Sequence, residues 1–368
     1  MRETSDVRRR RILAVVQARG AARVHDLAAE LEVSVVTVRR DVEELARAGK
    51  LRRGHGVARS IVPVEEEPAP AEAAERSGTV ALVVPERHAY LYEAVHGARA
   101  VLEEAGMRVV LHIAPQVQGA ERPIVERVVA DDVEGLLIAP RWRTTAAEEA
   151  DYGWLAGAGV PTVIMERRPR PGSALHAVDS VCSDHWYGMH LAVEHLVSLG
   201  HRRIVLAARD DSPTARTLRK AFGEIAAACP EIDDWTVVLS APDAGPDPDD
   251  RSAAPVGLAE LLREREATAA VLHGDVDALM LVQQLADDGV RVPEDCSVVA
   301  YDDVVAALGS TPLTAVAPPK DEVGRVAAEL LLRRLAEPPS SDNRPRRVEL
   351  LPELKVRGST KALSSHEK

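Results

Sequence analysis

The 368-residue sequence has little of several residue types that mark particular classes of protein. Its three cysteines, Cys182, Cys229 and Cys296, stand singly, a pattern that indicates neither a disulfide framework nor a zinc site. A reducing cytoplasm fits this usage best. The apolar run near the N-terminus stops at Gln17, too early for the core of a signal peptide. No window holds the roughly 18 uninterrupted apolar residues of a membrane span, so we expect neither export nor membrane insertion.

Motifs of common enzymes are also missing from the sequence. It contains no G-x-S-x-G, no P-loop, no H-E-x-x-H and no G-x-G-x-x-G after a predicted strand. The twelve histidines are dispersed, and His201 fits a corner between a helix and a strand better than a metal site. Missing motifs do not exclude an enzyme, but no pattern indicates one. We therefore expect no catalytic residue, no metal and no cofactor.

Charge is distributed unevenly along the chain, whose formal net charge is -12. Residues 1–60 hold 14 Lys and Arg against 8 Asp and Glu, a net charge of +6, which leaves -18 for the remainder. A positive module on an acidic body can approach a polyanion in only one orientation, and nucleic acid is the obvious polyanion. The alternative is a solvated basic surface with no partner.

Helical periodicity organises this basic module. Residues 8–19 have apolar positions at helical spacing before Gly20, and residues 24–31 form a second short helix by the same criterion. Ser34 is a suitable N-cap for a third helix. Four residues recur on one face of that third helix and predict a buried stripe: Val35, Val38, Val42 and Leu45.

The opposite face of the third helix holds Val36, Thr37 and Arg40, with Arg39 beside them. The segment "LRRGHGVARS" that follows predicts a β-wing around two glycines. Three helices and a wing make a winged helix-turn-helix, in which the third helix enters the major groove of DNA.

The stretch "AARVHDLAAELEVSVVTVRRDVEELARAGKLRRGHGVA" resembles the DNA-binding domain of DeoR-type bacterial repressors, over nearly all of residues 7–58. Val57 stands where that family usually has glycine. The resemblance implies that DNA is faced by Ser34, Thr37, Arg39 and Arg40, and that wing residues Arg53 and His55 contact the backbone or the minor groove.

Val36 and Arg39 of the third helix have specific expected roles at the DNA. Val36 is placed to touch a thymine methyl group, an apolar contact that the major groove permits. Arg39 is either a base reader or a phosphate clamp, which would position the protein without reading sequence.

A linker and two α/β halves follow the basic module. Residues 61–77, "IVPVEEEPAPAEAAERS", have no face that could form a core and predict an extended acidic linker. Beyond it, short apolar runs alternate with amphipathic helical stretches, which predicts parallel sheets covered on both faces. Two such halves imply a cleft at the carboxyl ends of the strands. The strand-like runs are TVALVV, RVVLHIA, GLLIAP, PTVIME, RRIVLAA, WTVVLS, AAVLHG and SVVAYDD.

Residues 78–358 resemble the effector-binding core of the LacI and GalR repressors, which has a periplasmic-binding-protein fold. The resemblance rests on "VDSVCSDHWYGMHLAVEHLVSLGHRRIVLAA", "VRVPEDCSVVAYDDV" and "STPLTAVAPPKDEVGRVAAELLLRRL", in the family's order. It implies a homodimer with a small polar molecule, such as a sugar or nucleoside, in the cleft. The complete prediction is a winged helix-turn-helix over residues 1–60, the linker over 61–77, this two-lobed α/β core over 78–358, and a C-terminal tail over 359–368.

The same resemblance indicates which residues contact the effector. Asp302 matches a carboxylate that accepts hydrogen bonds from two hydroxyls, and Glu166 stands where some members have a pocket aspartate. Arg219 is the nearest substitute for an effector-contacting arginine, because Leu218 occupies that position. Asp184 is either a cap or a cleft residue, and Asp275 fits an N-cap better than a ligand contact. The candidates are Tyr90, Glu166, Asp184, Thr214, Arg216, Arg219, Asp275 and Asp302.

The combined interpretation is a cytoplasmic, ligand-responsive transcription factor, a repressor that binds a palindromic or repeated operator as a dimer. Closure of the cleft would shift the dimer between geometries that do or do not match the half-site spacing. The acidic linker cannot form the hinge helix of LacI-type proteins, so coupling should depend on tether length and effective concentration. The alternatives are a solute-binding protein for sugar uptake, which would need an export signal, and an α/β enzyme.

Overall fold

The computed structural model describes the chain in two compact units, Met1–Glu75 and Arg76–Lys368. For residues 21–23, 52–54 and 57–60 only the backbone is described. The predictions for the linker, His55 and Tyr90 lie outside the described residues. The described residues are 8–9, 12, 21–24, 27–28, 33–47, 51–54, 57–60, 78–86, 91–115, 117, 119–142, 152–210, 212–240, 257–336 and 344–363.

The first unit joins helices to a small antiparallel sheet. Helix α1 spans Val35–Arg47 and is the helix predicted as the third from the sequence. The strands β1 (Ala21–Arg23), β2 (Leu51–Gly54) and β3 (Val57–Ser60) pair in the order β1-β3-β2. The β2 and β3 hairpin is the predicted wing, whereas β1 was not predicted. The described core residues are Ile12, Val24, Leu27, Ala28, Val38, Val42, Leu45 and Leu51.

The second unit begins with a lobe built on a parallel sheet in the order β14-β8-β7-β6-β4-β5. Side chains of β4 alternate between the two faces, so Val80 and Leu82 pack on one side and Ala81 and Val83 on the other. The strands are β4 (Thr79–Pro85), β5 (Arg108–Ala114), β6 (Gly135–Ile138), β7 (Thr162–Met165), β8 (Asp179–Ser183) and β14 (Arg347–Leu350). The helices are α2 (Leu91–Glu104), α3 (Glu121–Ala130) and α8 (Lys320–Ala336).

The other lobe has the strand order β10-β9-β11-β12-β13-β15, parallel except for β15. Its two cores, one on each face of the sheet, hold the alternating side chains of β9 and β12. The strands are β9 (Arg203–Ala208), β10 (Asp234–Leu239), β11 (Ala269–His273), β12 (Ser297–Tyr301), β13 (Thr314–Ala317) and β15 (Glu353–Lys355). The helices are α4 (His185–Ser198), α5 (Pro213–Ala228), α6 (Leu258–Glu264) and α7 (Asp275–Asp287).

The described chain crosses between these lobes at three places: at Asp184, at Pro318 and Pro319, and at 351–352. The first crossing leads from β8 into α4, and the second leads from β13 back to α8. All three crossings follow the carboxyl ends of strands. The cleft between the lobes therefore opens where the carboxyl ends of both sheets meet, as expected for open α/β sheets.

Two helices of the first lobe, α2 and α8, pack with their backbones in near contact. A Cβ atom added at Gly324 would lie 1.9 Å from the carbonyl oxygen of Ala94, and one added at Gly97 would lie 2.1 Å from the carbonyl oxygen of Asp321. Only glycine at both positions lets the helices approach this closely.

The eight predicted strand-like runs all form strands, with ends that differ from the prediction by at most two residues. The strands β8, β13, β14 and β15 were not predicted. Residues Gly153–Gly157 form a 3-10 turn before β7. The second lobe continues beyond the boundary predicted at residue 358, because Ser359 donates a hydrogen bond to the carbonyl of Val298 and the Leu363 amide donates one to Leu199.

Candidate functional site

The start of α1 is capped as predicted. The Thr37 amide donates to Ser34 Oγ over 3.2 Å, and the Ser34 and Thr37 hydroxyls lie 2.8 Å apart. The two hydroxyls predicted to face DNA are thus held against each other at the N-terminus of the helix. A helix N-terminus with free amides favours a phosphate group.

The two faces of α1 separate as the apolar pattern predicted. Val38, Val42 and Leu45 are buried, and Val35 packs half-buried against them. Val36 is 73% exposed, Arg39 and Arg40 are exposed, and Thr37 is half-buried. The helix therefore presents one apolar side chain and two guanidinium groups to solvent on a single face.

A buried carboxylate, not identified from the sequence, anchors α1. Asp41 is 3% exposed and accepts hydrogen bonds from Arg8 Nε at 2.6 Å and Arg9 Nε at 3.1 Å. These arginines compensate the buried charge, so two basic residues of this module are engaged inside it. The available signal was the position of Asp41 three residues after Val38, on the buried side of the helix.

The wing is described at the level of its backbone. Arg53 pairs with Ala58, and Gly54 pairs with Val57 at the end of the hairpin. His55 lies outside the described residues. The DNA contacts expected of Arg53 and His55 remain predictions.

Glu166 occupies the first-lobe side of the cleft, directly after β7. It has a φ of +53° and is 3% exposed. Ser183 Oγ donates to Glu166 Oε1 at 2.8 Å, and His185 Nε2 lies 3.5 Å from Glu166 Oε2. Burial by itself raises the pKa of this carboxyl, but the hydrogen bond and charge of His185, with Ser183 and Arg167, outweigh it and lower the pKa of Glu166 below its ordinary value.

Glu166→Gln is expected to remove part of the acid sensitivity of the second unit. Because the pKa of Glu166 is lowered on folding, ionised Glu166 stabilises the fold above the ordinary glutamate pKa of 4.5, and this stabilisation is lost as the pH falls through the lower folded pKa. The difference in unfolding free energy between wild type and variant should therefore shrink below pH 4.5. Urea unfolding at several pH values measures it. Glu194→Gln, on an exposed helix face, is the control, and a difference independent of pH would contradict the expectation.

Asp302 occupies the second-lobe side of the cleft, directly after β12, with a φ of +113°. Its carboxylate forms an ion pair with the ammonium of Lys320, which is 4% exposed. Burial raises the pKa of Asp302, and the charge of Lys320 opposes that rise. Lys320 was not identified from the sequence, although it begins α8 immediately after two prolines.

Helix α5 reaches the cleft through its first turn. Arg216 donates from a terminal guanidinium nitrogen to the carbonyl of Trp142, over 2.9 Å, and so connects the second lobe to the first. Thr214 Oγ1 lies 3.4 Å from His185 Nε2. Leu218 is fully buried in the second-lobe core, and Arg219 is half-buried. The structure thus brings Thr214 and Arg216 together with the cleft residues, and no contact places Arg219 there.

Asp184 and Asp275 were both considered as helix caps, and only Asp184 is one. Asp184 caps α4, because its Oδ1 accepts a hydrogen bond from the Tyr187 amide at 2.9 Å. The N-cap prediction for Asp275 is wrong, since Gly274 occupies the N-cap position of α7. The carboxylate of Asp275 instead accepts hydrogen bonds from the amides of Val305 and Ala306, at 2.5 and 3.1 Å. Effector contact by either aspartate stays a prediction.

His185 and Tyr301 are further residues of the cleft that the sequence analysis did not identify. The Tyr301 hydroxyl lies 3.1 Å from His185 Nδ1, and Tyr301 is buried. Gly188 makes room for this ring, because a Cβ there would lie 2.4 Å from the hydroxyl. The available signals were the place of His185 at the start of a helix and the Tyr that precedes Asp302.

The described part of the chain has neither a metal-binding cluster nor a membrane-spanning helix. No group of three or more His, Cys, Asp and Glu side chains among those residues could hold a metal ion. No helix there combines the length and the apolar character needed to cross a membrane.

Two protein-family models match parts of the chain, one in each of the two units. Residues 8–64 match the DeoR-like helix-turn-helix domain, and residues 193–360 match the periplasmic binding protein-like domain.

Relatives and solved structures are similar to the chain over longer stretches. The arabinose metabolism transcriptional repressor of Geobacillus stearothermophilus is 28% identical over 353 residues, which is 92% of this chain and 91% of that protein. The transcriptional repressor PurR of Haemophilus influenzae is 30% identical over 207 residues, 55% of this chain and 58% of PurR. A LacI family regulator from Enterococcus faecium with bound ribose has a TM-score of 0.60 at 23% identity, covering 78% of this chain and all of that one. The lac repressor dimer bound to operator and an anti-inducer has a TM-score of 0.63 at 21% identity, covering 79% and 96%.

The fold and these matches together define a DNA-binding transcriptional regulator. Within that class, the chain joins a DeoR-like helix-turn-helix domain to a periplasmic-binding-protein-like domain.

Proposed function

We propose that the chain represses transcription by binding operator DNA through α1, and that a small polar effector, such as a sugar, binds between the two lobes and controls this activity. The observation that carries the proposal is the pairing of an exposed reading face, formed by Val36, Arg39 and Arg40, with a two-lobed unit whose cleft holds Glu166 and Asp302. A protein that binds operator DNA would act in the cytoplasm, and this location is part of the proposal.

The exposed face of α1 suits the major groove. Arg40 and Arg39 provide forked donors that match guanine edges or phosphates, and Val36 provides an apolar contact for a thymine methyl. Asp41, with Arg8 and Arg9, holds the helix in the rotation that presents these side chains. The remainder of the chain is acidic, which favours approach through this module.

The cleft suits a ligand with several hydroxyl groups. Carboxylates accept hydrogen bonds from hydroxyls, and Glu166 and Asp302 come from opposite lobes. A ligand that contacts both would favour one relative orientation of the lobes. Ribose in the similar regulator from Enterococcus faecium supports a sugar as the class of effector.

Dimerisation is part of this proposal, since a helix-turn-helix protein reads a palindromic operator as a dimer. In the second lobe, Val276 and Met280 lie one turn apart on α7 and are 54% and 55% exposed, and Leu308, in a turn that contacts α7, is 77% exposed. In the first lobe, Leu111 and Ile113 are exposed on the edge strand β5. A two-fold interface would bury such patches against a second copy.

Substitution of the second-lobe patch with charge is expected to dissociate the dimer. Met280→Glu with Leu308→Glu would place four like charges in a self-complementary interface. Sedimentation velocity over a concentration series should show a shift from dimer to monomer. Leu351→Glu, at a position that is 61% exposed outside these patches, is the matched control. A double variant with unchanged sedimentation would show that the interface lies elsewhere.

Coupling between effector and DNA would follow from the geometry of the dimer. Closure of the cleft changes the relative orientation of the lobes. In a dimer it would thereby change the distance between the two points, at Arg76 of each chain, where the second units begin. The acidic linker sequence then sets the reach and the effective concentration of the second DNA-binding module.

The experiment that tests the function is a mobility shift with the DNA upstream of the protein's own gene. We expect a shift at low salt, and its release or strengthening by one member of a panel containing L-arabinose, D-ribose and nucleosides. Thermal shift with the same panel identifies the effector, because a specific ligand raises stability by mass action. No shift at low salt, with or without the panel, would remove the regulator proposal. Neither a solute-binding protein nor an α/β enzyme has a use for a DNA-reading helix.

A further inference from the structure

Two acidic residues have the same unusual setting in the two lobes of the second unit. Glu166 directly follows β7 and Asp302 directly follows β12, each at the carboxyl end of its sheet. Both have positive φ angles, +53° and +113°, which residues with a side chain rarely adopt. Strained backbone of this kind concentrates at ligand sites, where the surrounding structure holds it in place.

Each carboxylate is paired with a base from a helix of the opposite lobe. His185 is the first residue of α4, a second-lobe helix, and its Nε2 lies 3.5 Å from Oε2 of first-lobe Glu166. Lys320 is the first residue of α8, a first-lobe helix, and its ammonium contacts second-lobe Asp302. In one pair the first lobe supplies the carboxylate and the second lobe the basic side chain, and in the other pair these roles are reversed. One pair lies beside the crossing at Asp184, and the other lies beside the crossing at Pro318 and Pro319.

The side chains of His185 and Lys320 are both largely buried. The His185 ring contacts the Tyr301 hydroxyl at 3.1 Å and Thr214 Oγ1 at 3.4 Å, and its side chain is 11% exposed. The titratable groups around it are Glu166 of the first lobe, Asp184 beside it in the chain, and Tyr301 and Asp302 of β12 and its end. The Lys320 side chain is 4% exposed.

We propose that His185 and Lys320 are positioning residues of the effector site, which hold Glu166 and Asp302 ionised and aimed into the cleft so that both accept hydrogen bonds from one polyhydroxyl ligand. The inference rests on the proposed function and adds the residues that set its geometry. A buried carboxylate without a partner takes up a proton and loses acceptor capacity. A base supplied by the opposite lobe prevents this only while the lobes keep the orientation that the ligand requires.

Carboxyl titration tests the pairing without any ligand. With 13C-carboxyl-labelled Glu and Asp, the Glu166 and Asp302 signals are assigned by their disappearance in Glu166→Gln and Asp302→Asn. We expect the titration midpoint of Glu166 to rise in His185→Gln, and that of Asp302 to rise in Lys320→Met but not in Lys320→Arg. The matched controls are His190→Gln and Lys220→Met, which break exposed helical pairs with Glu194 and Glu224.

Ligand affinity tests the positioning. L-arabinose and D-ribose are the probes, titrated against folded wild type and variants. For the sugar that stabilises wild type, His185→Gln and Lys320→Met should each weaken binding about tenfold or more, as loss of a hydrogen bond to a charged group does. Lys320→Arg should restore most of the affinity, which a purely structural requirement for the lysine side chain would not allow.

Each outcome decides the inference. Unchanged midpoints in His185→Gln and Lys320→Met would overturn the pairing. Shifted midpoints with unchanged sugar affinity would overturn the positioning role and leave the proposed function standing. If neither sugar binds wild type, the sugar part of the proposed function fails, and the carboxyl titrations by themselves decide whether His185 and Lys320 hold the two carboxylates.

Discussion

Gly324→Ala is expected to lower the free energy of unfolding of the second unit by on the order of 3 kcal/mol. The added methyl group would lie 1.9 Å from the carbonyl oxygen of Ala94 and 2.7 Å from the amide nitrogen of Ala98, both backbone atoms of α2. No side chain can rotate to relieve these contacts, so the helices must separate. The core that α2 and α8 share with the first sheet would lose packing with them.

The expected loss of stability is opposite in sign to the usual effect of replacing glycine by alanine in a helix. In an exposed helix, Gly→Ala stabilises by about 1 kcal/mol, because alanine has the higher helix propensity. Gly97→Ala should also destabilise, and the double variant should lose less than the sum, since both glycines serve one contact. Urea unfolding followed by circular dichroism measures each variant. Gly153→Ala, where an added Cβ meets no atom within 4 Å, is the control. Unchanged or increased stability in Gly324→Ala would contradict the packing of these helices.

Arg40→Ala is expected to weaken operator binding by about 1 to 3 kcal/mol, the range for a bidentate base contact, and to leave effector binding intact. Asp302→Ala should do the reverse, because the two residues lie in different units. Fluorescence anisotropy with the operator, and thermal shift with the effector, measure the two activities separately. Loss of both activities in both variants would contradict the division of labour.

The salt dependence of DNA binding distinguishes a phosphate contact from a base contact at Arg39 and Arg40. If Arg39 is a phosphate clamp, Arg39→Ala should weaken binding to operator and unrelated duplex alike and reduce the salt slope by about one. If Arg40 reads a base, Arg40→Ala should narrow the gap between operator and unrelated DNA. Arg47→Ala, an exposed arginine of the same helix paired with Glu44, is the matched control. An Arg40→Ala variant that keeps the full preference for operator would show that Arg40 reads no base.

The structure of helix α1 could be predicted almost completely from its residues. The cap at Ser34, the buried stripe of Val38, Val42 and Leu45, and the outward position of Arg40 all follow from neighbours within a few turns. Asp41 could not be understood in the same way. Its burial depends on Arg8 and Arg9, from a different part of the module.

The strands also differ in whether their own residues predict them. Runs such as TVALVV are apolar after their first residue, because a central parallel strand is buried on both faces. The segments DSVCS, RVEL and ELK carry charged or hydroxyl side chains and lack that signal. Their strand structure comes from partners already in place, such as the pairing of β14 with β8 and of β15 with β13.

In the cleft, the sequence predicted the carboxylates but not the residues that contact them. Sequence resemblance was enough to predict the positions of Glu166 and Asp302, since each follows a strand in a recognisable motif. The partners of these carboxylates were decided by the chain's passage between the lobes, which places His185 and Lys320 at the starts of helices that enter opposite lobes. Periodicity and capping act between residues close in the chain, whereas the charge state of a buried carboxylate depends on whatever the completed fold packs against it.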